Sequence, residues 1–156
     1  SLQVTAYAAN MAGDLRRLGG GQAEITSKEN TVLLHVLNDD LRAGEILYFE
    51  WQGSDGQTFC DHFAPVPYKS FDLENPNVRH VVAPSADGWT ITLSANALAL
   101  FVALEADVPG RFSDNAFTMV PNKDVTITFT PDAPDQSGKT PNFILRNLFT
   151  ATYGTA

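Results

Sequence analysis

The chain has 156 residues, 44% of them hydrophobic and 18% charged, which is an ordinary globular composition and excludes collagen-like and disordered chains. A formal net charge of −8 works against binding to nucleic acid, and no apolar run is long enough to span a membrane. The single cysteine, Cys60, excludes a disulfide-stapled fold, and the absence of a signal pattern leaves the compartment open.

Alternation of apolar and polar residues predicts β-strands along most of the chain. The strand candidates are residues 2–9, 31–38, 46–52, 78–83, 89–94, 124–131 and 142–153. The third candidate is expected to bury Leu47, Phe49 and Trp51 on one face. Frequent Gly, Pro, Asn and Asp between the candidates indicate turns, so the pattern predicts an antiparallel sandwich or barrel.

Three stretches interrupt this regular pattern of strands and turns. Residues 14–19 could form one helical turn with Asp14 as its cap, and the glycines at positions 19–21 indicate a turn. Residues 94–106 are rich in Ala and Leu and fit either a helix or a strand buried on both faces. The polar, Pro- and Gly-containing residues 132–141 predict a loop.

The richest turn chemistry lies between Val108 and Pro131, and its core is a candidate structural motif. The motif residues are Gly110, Phe112, Ser113, Asp114, Asn115 and Phe117. Pro109 and Gly110 suit the centre of a type II turn, and Asp114 with Asn115 suits a two-residue hairpin connection. In such a hairpin Phe112 and Phe117 would face each other across the strands and anchor the corner in the core.

The same region resembles the C-terminal immunoglobulin-like domain of family 2 glycoside hydrolases, in particular of β-mannosidases. The matching stretches are residues 97–102, 110–117, 119–122 and 125–129, and the resemblance is strongest over residues 89–131. Asn122 stands where this family often has glycine, a departure that a left-handed Asn accommodates. The resemblance favours a strand over a helix for residues 94–106.

The resemblance implies an all-β fold, an immunoglobulin-like antiparallel β-sandwich over residues 1–156, in a fragment of a larger enzyme. In this family the two catalytic carboxylates belong to a barrel of about 250 residues, which this chain is too short to contain. The fragment is therefore expected to have no catalytic residues and to pack against the other domains of a parent that hydrolyses terminal β-mannosides.

The residues themselves leave other chemistries to be weighed. The candidate acids are Asp39, Asp40, Glu50, Asp55, Asp61 and Asp114, and each is expected in a turn or on a polar strand face. His35, His62 and His80 lack the close spacing of metal ligands, so neither a metal nor another cofactor is expected.

Sugar binding is the main alternative function, because exposed aromatic rings can stack on oligosaccharides. The candidate rings are Trp51, Trp89 and Tyr68. Both tryptophans lie in phase with apolar neighbours, which favours the core, whereas Tyr68 lies in a Pro-rich segment that could contact a sugar or another domain.

Overall fold

A computed structural model describes residues 1–24, 26, 30–133 and 139–154. The chain divides into two compact units, residues 1–73 and residues 74–156. Whether the two units act together as one accessory domain, as the sequence predicts, stays a prediction.

The first unit contains one antiparallel sheet of four strands, in the order β2-β1-β3-β4. Its strands are β1 (Leu2–Ala9), β2 (Leu15–Ala23), β3 (Ile46–Gln52) and β4 (Thr58–Phe63). Two short 3-10 helices, Asn38–Asp40 and Tyr68–Ser70, interrupt its loops. The central strand β1 pairs along its whole length with β2 on one side, and it pairs with β3 on the other.

The second unit contains two antiparallel sheets, one in the order β5-β6-β10-β8 and the other in the order β11-β7-β9. The strands are β5 (Arg79–Ser85), β6 (Gly88–Ser94), β7 (Ala99–Ala106), β8 (Gly110–Phe112), β9 (Phe117–Met119), β10 (Val125–Pro131) and β11 (Phe143–Arg146). One short helix, α1 (Leu148–Tyr153), follows β11.

The two sheets of the second unit share one hydrophobic core, to which each strand contributes alternate side chains. Ile91 of β6 and Ile127 of β10 point into this core from one sheet, and Val102 and Leu104 of β7 point into it from the other. Two antiparallel sheets packed face to face form a β-sandwich. The all-β, immunoglobulin-like fold predicted from the sequence is confirmed.

The glycine-rich stretch was predicted wrongly, because residues 14–19 form no helical turn and the glycines form no turn. Both lie in or next to strand β2. A Cβ on Gly21 would overlap the Leu33 carbonyl oxygen, and one on Gly20 would lie 2.8 Å from the carbonyl oxygen of Val4. The glycines are therefore used for close backbone approach within a strand.

Residues 31–38 were predicted to form a strand, and this prediction is wrong. Residues 31–37 belong to no strand, and residue 38 begins a 3-10 helix. Leu33 and Leu34 line a cleft together with Val4 and Phe49 of the sheet. Leu33, Leu34 and Val36 are thus partly buried beside the sheet without ladder pairing, whereas Val32 and Leu37 are exposed.

Two further predictions were right about the strand and wrong in detail. Strand β3 forms as expected, but Ile46 and Tyr48 are its buried residues, whereas Leu47, Phe49 and Trp51 are only half-buried. Residues 142–153 form a strand only as far as Arg146, after which Asn147 caps helix α1 by accepting from the Thr150 backbone N–H at 3.0 Å. Residues 94–106 form a strand from Ala99 onwards.

Candidate functional site

The segment from Gly110 to Phe117 connects the two sheets of the second unit and does not form the predicted hairpin. Strand β8, which carries Phe112, pairs with β10 in one sheet. Strand β9, which carries Phe117, pairs with β7 in the other. The two rings therefore enter the common core from different sheets, Phe117 fully buried and Phe112 half-buried.

Ser113 and Asn115 hold this crossing to both sheets. The Thr128 backbone N–H donates to Ser113 Oγ, and the Ser113 N–H donates to the Thr128 oxygen, both at 2.9 Å. Asn115 Oδ1 accepts from the Leu104 N–H at 2.8 Å, and Asn115 Nδ2 donates to the Leu104 oxygen at 2.9 Å. A hairpin is unnecessary, because these side chains replace the missing ladder bonds.

Two other details of the motif differ from the sequence prediction. The left-handed residue is Ala116, with a φ of 62°, so neither residue of the Asp114–Asn115 pair takes that conformation. Gly110 has no left-handed φ, which excludes the type II turn. A Cβ on Gly110 would overlap the ring of Phe129, so the glycine is needed to make room for a core side chain.

One face of the sheet in the first unit carries a row of aromatic side chains. Phe49 and Phe59 each stack with Trp51 at centroid distances of 5.8 Å, and we call these three residues the aromatic row. Phe59 is 45% exposed, and Phe63 on the same face is 55% exposed. The cleft beside Phe49, lined by apolar residues of β1, β3 and residues 31–36, extends this apolar surface.

The opposite face of the same sheet carries hydrogen-bonding groups. The Tyr48 hydroxyl donates to Glu50 Oε1 at 2.8 Å, and His62 Nε2 lies 2.9 Å from the Tyr68 hydroxyl oxygen. Tyr48 pairs with His62 across strands β3 and β4, and Glu50 pairs with Cys60. These residues come together through cross-strand pairing, and the only signal in the sequence is that Tyr48 and Glu50 are two positions apart in a predicted strand.

Burial changes the titration of this face. Burial is the main reason why the pKa of Tyr48 lies above its ordinary value, and the neighbouring Cys60 and Glu50 raise that pKa further. Burial also lowers the pKa of His62, against the smaller opposing effect of the Asp61 carboxylate. Both rings are therefore held in their neutral forms at neutral pH.

We expect the free energy of unfolding to fall as the pH drops below about 6.5, the ordinary histidine pKa. Because the pKa of His62 is lowered by folding, the unfolded chain takes up its proton first, and stability is lost until folded His62 also protonates. Urea unfolding at a series of pH values below about 6.5 should show this decrease in the free energy of unfolding. His62→Gln should abolish the decrease. The control is His80→Gln on strand β5, which should retain the decrease; an unchanged decrease in His62→Gln would contradict the assignment.

The two candidate sugar-contacting rings of the first unit, Trp51 and Tyr68, do not share a site. Trp51 lies in the aromatic row, whereas the Tyr68 hydroxyl contacts His62 on the opposite face of the same sheet. Trp89 belongs to the second unit, where it lines a cleft of about 360 Å³ with prolines and Asp132. Each ring is half-buried.

The candidate acids lie mostly at the surface. Five of them are exposed, and only Glu50 is half-buried: Asp39, Asp40, Asp55, Asp61 and Asp114 are the exposed ones. Among the residues that the structure describes, no three His, Cys, Asp or Glu side chains are arranged to hold a metal ion. The helices within the described part of the chain are too short or too polar to cross a membrane.

Solved structures share the fold of the chain. A β-D-mannosidase from Dictyoglomus thermophilum matches with a TM-score of 0.73 and 15% identity, over 94% of this chain and 18% of that one. An exo-chitosanase from Amycolatopsis orientalis matches with a TM-score of 0.62 and 14% identity, over 94% of this chain and 22% of that one. The chain thus spans less than a quarter of either enzyme. No curated protein matches the sequence.

A family comparison identifies the second unit more specifically. The sequence model of the Ig_mannosidase family, described as an Ig-fold domain, matches residues 73–150. This match begins one residue before the second unit and includes both sheets of the sandwich. Because the match takes in half of the 156 residues, the chain belongs to the Ig_mannosidase family of Ig-fold domains.

Proposed function

We propose that the chain is a non-catalytic accessory region of a larger β-mannosidase-like glycoside hydrolase, and that the apolar face of its first unit packs against another domain of that parent. The aromatic row carries this proposal. It forms an apolar surface on a single sheet, and a sheet needs a second layer to bury such a face. The fraction of the related enzymes that the chain spans leaves ample polypeptide to supply that layer.

The catalytic barrel is the domain that we expect to provide the second layer, and the parent's substrate would be terminal β-linked mannose. Family membership and the β-D-mannosidase activity of the Dictyoglomus thermophilum enzyme support this choice of substrate. The chain by itself should not turn over a chromogenic β-mannoside, since the two catalytic carboxylates of such enzymes are expected in the barrel. Turnover by the isolated chain would contradict this part of the proposal.

Docking through the face that carries the aromatic row and Phe63 can be tested in the full-length parent. Replacing Phe59 and Phe63 together by serine should lower the inactivation temperature of the enzyme by about 2 to 4 °C, because apolar area buried against the neighbouring domain is lost. Val81→Ser is the matched control, since Val81 is 71% exposed on strand β5 and lies in no proposed interface. Equal inactivation temperatures for the wild type, the double variant and Val81→Ser would contradict docking through this face.

The second candidate function is a carbohydrate-binding module that holds mannose-containing oligosaccharides by aromatic stacking. The observation in its favour is the cleft of Trp89, which Asp132 also lines. Trp51 is less suited to stacking on a sugar, because its ring already stacks with Phe49 and Phe59. Docking is therefore the function that the first unit supports best.

A further inference from the structure

The polar face of the sheet in the first unit contains a small cleft of about 170 Å³, which we call the Glu50 cleft. Its lining residues are Gln3, Thr5, Glu50, Trp51, Gln52 and Thr58. The strand registers explain why they meet: Gln3 pairs with Gln52 and Thr5 with Glu50, and Gln52 also pairs with Thr58. One carboxylate, two carboxamides and two hydroxyls therefore converge on adjacent positions of three strands.

Two of these groups are held in place by hydrogen bonds. Tyr48 is only 2% exposed, and its hydroxyl donates to Glu50 Oε1, so the carboxylate is positioned by a residue that is itself fixed in the interior. Gln52 Nε2 donates to the Gly56 oxygen at 2.9 Å and lies 3.4 Å from Thr58 Oγ1. A ligand would meet side chains that are already oriented, which reduces the entropy lost on binding.

The chemistry of the Glu50 cleft selects among ligand classes. A carboxylate accepts hydrogen bonds from neighbouring hydroxyls, and carboxamides and hydroxyls both donate and accept. An anionic ligand would be repelled by Glu50 and by the net charge of −8. An apolar ligand would leave the polar groups without partners, at a cost in free energy.

Size restricts the ligand further. Clefts for drug-sized ligands are about 300 to 1,000 Å³, so a cleft of about 170 Å³ suits a ligand of one ring. We propose that the Glu50 cleft binds a single ring of a neutral, hydroxyl-rich sugar. This binding does not rest on the docking proposed above, because all the lining residues except Trp51, which also belongs to the aromatic row, lie on the opposite face of the same sheet.

The test is a titration of the isotope-labelled chain, followed through its backbone amide shifts. The probes are mannose and mannobiose, with sorbitol as an acyclic polyol and glucosamine as a cationic sugar. We expect saturable shifts with mannose and mannobiose, confined to Gln3, Thr5, residues 50–52 and Thr58, with a Kd on the order of 1 mM. Sorbitol should bind at least about fivefold more weakly, because its hydroxyls are not held by a ring.

A pair of variants assigns the binding to Glu50. Glu50→Gln keeps the shape of the side chain and can still accept from Tyr48, but it should raise the Kd for mannose by about tenfold, because the hydrogen bonds to the ligand lose the charge of the carboxylate. The control is Glu105→Gln, which replaces an exposed strand carboxylate on β7 and should leave the Kd unchanged. The amide dispersion of each variant checks that it is folded.

Several outcomes would overturn the proposal. One is the absence of saturable shifts with either mannose or mannobiose, and another is unchanged affinity in Glu50→Gln. Shifts confined to the surroundings of Trp89 would place sugar binding in the second unit instead. Tight binding of glucosamine alone would make the Glu50 cleft a site for amines, whereas binding of neutral sugars with or without glucosamine would support the proposal.

Discussion

Replacing Phe117 by alanine is expected to lower the free energy of unfolding of the second unit by about 3 to 5 kcal/mol. Phe117 is a buried member of the core cluster shared by both sheets. Its removal would leave a cavity between two sheets that strands β7 and β9 cannot close, because their positions are fixed by ladder bonds. The destabilisation should therefore approach the upper part of the range for buried aromatic residues.

The measurement can separate the two units, because each contains one of the two tryptophans. In a Trp51→Phe background, denaturant unfolding followed by Trp89 fluorescence reports on the second unit alone. Phe59→Ala, followed in a Trp89→Phe background, is the control, and its cost should be about 1 kcal/mol or less because the ring is 45% exposed. If Phe117→Ala unfolded at the wild-type denaturant concentration, its ring would have to lie outside the core.

The sandwich of the second unit was predictable because its strands are buried on one face. In β6 and β10, Ile91, Leu93, Ile127 and Phe129 alternate with threonines, and the structure places all four side chains in the core. A period of two is the direct signature of such a strand. The left-handed conformation at Asn122 was likewise predictable, because few residue types tolerate it, and its φ is 62°.

The first unit was less predictable because its burial depends on partners that are distant in sequence. The alternation in residues 46–52 gave the strand, but it could not decide which of two partly apolar faces would be the buried one. The glycines of β2 indicated a turn by composition alone. The reason for a glycine at position 21 is the close approach of the Leu33 backbone, which is twelve positions away in the sequence.

In the candidate sites, too, local patterns were predictable and contacts between distant residues were not. The motif residues from Gly110 to Phe117 can be grouped by their turn chemistry, but their partners, Leu104 and Thr128, are strand residues that local turn rules do not consider. The Glu50 cleft was missed because its residues come from positions 3 to 58 and meet only through the registers of three strands. Register cannot be read from a single sequence when both faces of a strand are partly apolar.

Asn115→Ala is expected to lower the free energy of unfolding of the second unit by about 2 to 4 kcal/mol. The substitution would remove both hydrogen bonds to the backbone of Leu104, a residue that is only 2% exposed. The Leu104 N–H and carbonyl would then lose their Asn115 partners in a nearly buried part of strand β7. Leaving such groups unpaired costs more than the bonds themselves contribute on average.

Two further variants test whether the crossing is held in this way. Asp114→Ala removes one exposed bond, from the Asn115 N–H to Asp114 Oδ1 at 2.7 Å, and should cost about 1 kcal/mol. Asn115→Asp keeps an acceptor for the Leu104 N–H but places a charge opposite the Leu104 oxygen, so its cost should at least equal that of Asp114→Ala. Trp89 fluorescence in the Trp51→Phe background measures all three. If Asn115→Ala cost no more than Asp114→Ala, the bonds from Ser113 to Thr128 alone would suffice to carry the chain from one sheet to the other.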